Sequence, residues 1–225
     1  MTGAKLTKEA IVEAAIALAD AEGIDALSMR RIADRLGAGA MSLYRHVPNK
    51  DMLLAAMTDE VARRNPYPDP QGRDWTWRDR VRIAGEVDWD LYRRHPWVLF
   101  TFATPRYSFG PHSMAALAWM VDGFRQHTDS AREATRMSLA VWCCISGMAL
   151  PYVSETMLAR KGHDAAGHSA LEALLRGEID TPRPELEELA GSGVGDLVDQ
   201  EHLLHVALTA LCDGFEAQLR SQPAG

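Results

Sequence analysis

The chain has 225 residues, 47% of them hydrophobic, enough for one or two domains with a sizeable core. A formal net charge of −7 argues against a generic binder of polyanions. No stretch reaches the ~18 consecutive apolar residues of a membrane span, and the polar start "MTGAKLTKEA" lacks the apolar run of a signal peptide, so a cytoplasmic location with no membrane partner is expected.

In chain order, Thr7 is placed to cap a first helix running to Ala21, with Ile11, Ala15 and Leu18 on one face and Gly23 ending it. Ser28 caps a second helix, Met29 to Leu36, with Leu27 and Ile32 spaced as a hydrophobic staple. Gly37 stops that helix, and Ala38 and Gly39 make the turn. A short third helix, Ala40 to Val47, follows and is closed by Pro48. Asn49 caps a fourth, Lys50 to about Arg64, with Leu53, Met57 and Val61 on its seam. The proline-rich segment "NPYPDPQGRD", Asn65 to Asp74, reads as a linker between domains at 1–65 and 75–225.

Beyond it, "WTWRDRVRIAGEVDWDLYRRHP" is a long amphipathic helix and "WVLFTFA" a short apolar turn. "GPHSMAALAWMVDGFRQH" and "AREATRMSLAVWCCISGMALPYVSETMLARK" give two more helices, the second bent at Pro151. It carries Cys143 and Cys144, which with Cys212 and no CxxC pair read as reduced core thiols. Residues 177–197, rich in Gly, Pro and acid, read as a loop. The last helix, Gln200 to Leu219, presents Leu203, Val206, Leu211 and Phe215. No run shows period-two alternation, so the fold class is all-α.

Charge is unevenly spread. Residues 1–65 are balanced, and the acidic excess lies wholly beyond them. Within 28–50, Arg30, Arg31, Arg35, Arg45 and Lys50 face Asp34 alone. The second and third helices with their turn form a helix-turn-helix arrangement, in which Gly37 and Gly39 suit a close approach of the two backbones. Ile32, Leu36, Leu43 and Val47 then point inward, leaving Met41, Ser42, Tyr44 and Arg45 outward, as a DNA groove requires. Arg30, Arg31 and Lys50 all sit in first turns, where positive charge opposes the helix dipole. Three such charges together point to an anionic partner.

The segment "LTKEAIVEAAIALADAEGIDALSMRRIADRLGAGAMSLYRHVPNKDMLLAAM" resembles the N-terminal DNA-binding domain of the tetracycline-repressor (TetR) family, through "LADAEGIDALSMRRIADRLG", "LYRHV" and "NKDMLL". The resemblance implies an N-terminal three-helix helix-turn-helix domain and a C-terminal helical ligand-binding and dimerisation domain. It implies DNA contacts at Arg30, Ala40, Met41, Ser42, Tyr44, Arg45, His46 and Lys50. Tyr44, His46 and Lys50 are assigned to phosphates; Arg30, Met41, Ser42 and Arg45 to base edges. Gly39 and Ala40 stand where the family often has polar residues, which predicts weaker base readout there. Asn65 and Pro66 stand where tetracycline repressors carry a drug-contacting histidine, which argues against a tetracycline–magnesium site.

Aromatic residues concentrate between 89 and 152, and Trp89, Phe100, Phe102, Trp119, Trp142 and Tyr152 are the candidates for lining a pocket for a flat apolar ligand. His202 and His205, three apart, and His163 and His168 lack a fixed carboxylate or third histidine beside them; no metal or cofactor is expected. "GSGVG" has no strand before it and is no phosphate loop. The expectation is a ligand-responsive regulator, most simply a repressor, that binds a palindromic double-stranded operator as a homodimer and is released by a small molecule. The alternative is a helical-bundle enzyme or carrier with a basic N-terminal module, from which the focused charge of 28–50 distinguishes it.

Overall fold

The structure, a computed structural model, describes residues 6–160, 169–180 and 183–220. Among them every regular element is helical. Four helices form the N-terminal part: α1 (Lys8–Glu22), α2 (Met29–Leu36), α3 (Ala40–Tyr44) and α4 (Lys50–Arg64). Their starts follow the capping residues. Thr7, Ser28 and Asn49 each accept a hydrogen bond from the backbone N–H three residues on, satisfying a donor that the helix itself leaves unpaired. Ile11, Ala15, Leu27, Ile32, Leu43, Val47, Leu53, Met57 and Val61 close around a common core.

Two details depart from expectation. The third helix is shorter: α3 ends at Tyr44, and the Leu43 carbonyl then accepts from both His46 and Val47 N–H, a tightened turn that carries Val47 inward before Pro48. The glycines of the turn differ in role. Gly37 adopts the left-handed conformation, φ 62°, so its lack of a Cβ is needed for the backbone, while Gly39 has φ −75° and a Cβ there would make only an ordinary contact with Ser42 Oγ at 3.9 Å. Neither is required by a close approach of the helices.

The C-terminal part comprises α5 (Trp77–Arg94), α6 (Val98–Phe102), α7 (Pro111–Arg125), α8 (Ala131–Arg160), α9 (Ala170–Leu175), α10 (Pro184–Glu187) and α11 (Gln200–Arg220). The long helix α8 runs on through Pro151 as one element and packs along α7, α11 and α5. By length and composition alone it is apolar enough to cross a membrane. Ala134, Met137, Val141, Ile145, Ala149 and Val153 bury one of its faces in the protein core. Where α5 and α11 cross, a Cβ on Gly85 would lie 2.7 Å from Leu208 Cδ1, so the missing side chain sets how closely they pack.

The last helix buries Leu204, Leu208 and Cys212, with Leu211 and Phe215 half-buried beside them. That stripe is offset from the expected one, because Leu203 is only half-buried and Val206 is 48% exposed. Residues 177–197 are not one continuous loop: α10 and a 3-10 turn at Gly195–Leu197 punctuate them. The helix α9, capped by Ser169 with a reciprocal bond from Glu172, was not legible in the sequence.

Candidate nucleic-acid interface and ligand site

The geometry around α3 divides its residues cleanly. Leu43 and Val47 are sealed in the core with Ile32 and Leu27. On the other side Met41 is 77% exposed and Tyr44 43%, an arrangement that costs burial without any partner in the chain. Arg30, Arg45, His46 and Lys50 are exposed around them, and Ala40 and Ser42 are half-buried at the edge. Of the eight residues expected to contact DNA, six are thus exposed and two half-buried.

The basic residues nearby are not equivalent. Arg31 forms an ion pair with Glu22 at 2.6 Å and also donates to the Ala26 carbonyl, so it braces α2 against α1. This removes it from the set of three opposing first-turn charges. Arg63 and Arg64 both hold Glu60, whose carboxyl is pulled down to about 2, first by its hydrogen bond from Arg63. Arg64 also reaches Glu13 on α1. Among the described residues, Arg30, Arg35, Arg45 and Lys50 form no ion pair. The positive charge left for a partner is therefore grouped around α2, α3 and the start of α4.

Three aspartates tie this unit to the C-terminal helices. Asp20 on α1 lies 2.7 Å from both His95 Nδ1 and Trp97 Nε1. Asp51 on α4 accepts from Tyr107 Oη at 2.8 Å and from Arg106 at 3.1 Å. Asp59, two turns further along α4, accepts from the His112 N–H at 2.8 Å and lies 2.9 Å from His112 Nδ1. Because Gly110 cannot cap α7, Asp59 supplies that helix's missing acceptor from across the interface. Asp59 thus joins α4 directly to the N-terminus of α7.

The six candidate ligand-lining residues fall into three places. Trp119 and Trp142 converge on Tyr67: the Trp119 ring lies 4.8 Å from it, and Trp142 Nε1 donates to its hydroxyl at 3.1 Å. Trp89 meets Tyr152 with ring centroids 6.0 Å apart. Phe100, 38% exposed, and Phe102, half-buried, lie on α6 and share no ring contact with the other four among the described residues. Sequence reasoning missed Tyr67, placed in the proline-rich linker, and also Asp88 and Ser146; Tyr92 belongs to the aromatic concentration of residues 89–152 but not to the six candidates. Tyr67 donates to Asp88, 3.0 Å from one carboxylate oxygen, and Tyr92 Oη lies 3.3 Å from Ser146 Oγ. The signal available was a carboxylate at position 88 on the apolar stripe of Val81, Ala84 and Tyr92.

A separate open cleft of about 890 Å³ lies between α5 and α11, lined by Arg78, Arg82, Glu86, Asp90, His202 and His205 among others. Of the six candidates only Trp89 reaches it, and its charged walls do not suit a flat apolar molecule. His163 and His168 lie outside the described residues.

Residues 11–57 match the family model for bacterial regulatory proteins of the tetR family. The HTH-type transcriptional repressor DrrR1 of Streptomyces coeruleorubidus is 50% identical over 94 residues, 42% of this chain and 34% of that protein. The chain thus aligns with about a third of that relative's length. An HTH-type transcriptional regulator of Saccharopolyspora erythraea is 33% identical over 178 residues, covering 79% of this chain and 72% of the relative. The TetR family protein ActR of Streptomyces coelicolor, solved in complex with actinorhodin, superposes with a TM-score of 0.77 at 27% identity. That match covers 96% of this chain and 99% of ActR. The relatives are named as regulators and repressors rather than enzymes. The chain belongs to the TetR family of bacterial regulatory proteins.

Proposed function

We propose that the protein is a ligand-responsive transcriptional repressor that binds a palindromic operator as a homodimer and leaves it when a small, mainly apolar aromatic molecule occupies the C-terminal part. The observation that carries the reading is the exposed, unpaired set around α3: Met41, Tyr44, Arg45 and His46, with Arg30 and Lys50 flanking. Met41, Ser42, Arg30 and Arg45 are assigned to base edges, with Ala40 packed at the groove wall; Tyr44, His46 and Lys50 are assigned to phosphates. A single such unit reads only a short half-site. Two related by a two-fold axis read half-sites about 34–36 Å apart on one face of DNA.

The surface proposed for dimerisation is formed by α8 and α11, which pack side by side. Leu139, Leu150 and Leu158 on α8 and Val206 on α11 are large apolar residues left exposed, although each helix already buries a second face. The domain boundary is assigned to the linker of residues 66–74, and one apolar core runs through both sides of it. The effector site is assigned to Trp89, Trp119, Trp142 and Tyr152, between α5, α7 and α8; ActR, of the same fold, is known with actinorhodin bound. Coupling runs through α7 and the Asp59 contact to α4. A ligand that favours the released state ~100-fold shifts the equilibrium by about 2.7 kcal/mol.

A gel shift with the DNA upstream of the protein's own coding sequence tests the reading. Retardation that survives excess unrelated duplex, and that Tyr44→Ala and Arg45→Ala weaken, is the expected result. Equal retardation of both duplexes would leave only non-specific binding and reject it.

A further inference from the structure

The aromatic cluster contains one group that an apolar ligand leaves unused. Asp88 lies on the stripe of α5 formed by Val81, Ala84 and Tyr92, where helical period calls for an apolar side chain. Two rows face each other there. Asp88 and Tyr92 are one turn apart on α5, and Trp142 and Ser146 are one turn apart on α8. A relay of hydrogen bonds joins them: Trp142 Nε1 donates to Tyr67 Oη, and Tyr67 Oη donates to Asp88, 3.0 and 3.2 Å from its two oxygens.

That relay leaves the carboxylate under-satisfied. One hydroxyl carries one proton, whereas an ionised carboxylate offers about four acceptor sites. Among the described residues no Lys, Arg or His forms an ion pair with Asp88. The buried cation of α5, Arg80, is committed two turns away to Asp122 at 2.9 Å and to the Trp119 carbonyl at 2.8 Å. Burial pushes the Asp88 carboxyl up to about 7, the opposite of what an ion pair would do. Even so, Asp88, Tyr67, Trp142 and Tyr152 are each half-buried rather than sealed. A buried, unpaired charge at such a place is destabilising unless an incoming group offsets it.

We infer that Asp88 recognises a cationic nitrogen on the effector, which is a planar aromatic molecule carrying a protonated amine. The inference rests on the effector site proposed above and adds the charge of its ligand. The ring of the ligand packs against Tyr67, Trp119 and Trp142, and its ammonium donates to the free lone pairs of Asp88. The faces of the neighbouring aromatic rings add cation–π attraction. A neutral hydroxyl at the same position donates one hydrogen bond but leaves the charge uncompensated. A carboxylate there is repelled.

The test is isothermal titration of the full chain, without DNA, by two matched probes: an anthracenylmethylammonium ion and anthracenylmethanol, its neutral counterpart. The wild-type protein is expected to bind the ammonium at least ~10-fold more tightly, the scale of a desolvated charge-assisted hydrogen bond. Asp88→Asn, which keeps the shape, should remove that preference while retaining affinity for the alcohol. Asp90→Asn, an exposed neighbour, should keep the preference and so exclude a general effect of net charge. Equal binding of both probes by the wild-type protein, or a preference that persists in Asp88→Asn, overturns the cation assignment while leaving the aromatic site standing. Failure of the wild-type protein to bind either probe overturns the aromatic site and the cation assignment together.

Discussion

Asp59→Ala removes the acceptor that α4 lends to α7, and its cost can be worked from the contacts. The carboxylate accepts from the His112 N–H at 2.8 Å and, more weakly, from Ser113 N–H at 3.4 Å. Loss of a capping acceptor costs about 1 kcal/mol, and loss of negative charge at a helix N-terminus a further ~0.3–1 kcal/mol. The His112 side-chain contact is 44% exposed and adds little. The expected destabilisation is about 1.3–2 kcal/mol, or roughly 3–8 °C in the melting temperature of a chain this size.

Gly110→Ala attacks the same contact from the other side. Its backbone, φ −71°, accepts alanine, but the new Cβ would lie 2.3–2.7 Å from three side-chain atoms of Asp59. In the Asp59→Ala background two of those three atoms are gone, although the Cβ of residue 59 remains at 2.7 Å. Gly110→Ala should therefore cost at least ~1 kcal/mol less there than in the wild-type chain, a coupling typical of residues that touch. Thermal and denaturant unfolding of the four proteins, followed by far-UV circular dichroism, gives the cycle. Additive effects, or a loss below ~0.5 kcal/mol for Asp59→Ala, would refute the cap.

Other expectations follow from single sites. Lys50→Ala should weaken binding to every DNA sequence and lower the salt slope by about 1, whereas Arg45→Ala or Ser42→Ala should change sequence preference by ~1–3 kcal/mol in operator-variant titrations. Gly37→Ala forces a Cβ into φ 62° and should cost about 1–2 kcal/mol in denaturant unfolding, while Gly39→Ala, at φ −75°, should cost under ~0.5 kcal/mol. Asp88 binds its proton more tightly folded than unfolded, so it costs stability as pH rises from its ordinary 3.8 through about 7. Below that window the penalty is absent, and above it the penalty is complete, bounded by roughly 4 kcal/mol. Unfolding of Asp88→Asn should accordingly show a gain over the wild-type chain at pH 8 that vanishes at pH 4, by paired denaturant melts.

The N-terminal helices were legible because local chemistry determines them. Thr7, Ser28 and Asn49 cap, Gly37 stops, and the apolar spacing of Ile32, Leu43 and Val47 leaves only one way to close the core. Which cations stay free was not legible, because the partner of Arg31 is Glu22, on a different helix, and no local rule pairs them. The last helix shows the limit of periodicity. Apolar residues lie on more than one of its faces, so the pattern alone cannot say that Leu204, Leu208 and Cys212 go inward while Val206 stays out. The aromatic cluster proposed for the effector was hidden further. Tyr67 sits in a segment whose prolines mark a linker, and it meets Asp88 and Trp142 only through the fold.

Sedimentation of the full chain with a fluorescent duplex from upstream of its own coding sequence tests the central proposal most directly. The account predicts one species of two chains per operator, formed in excess unrelated duplex and lost in Tyr44→Ala. A single chain on the duplex, or a complex that unrelated DNA competes away equally well, would contradict it.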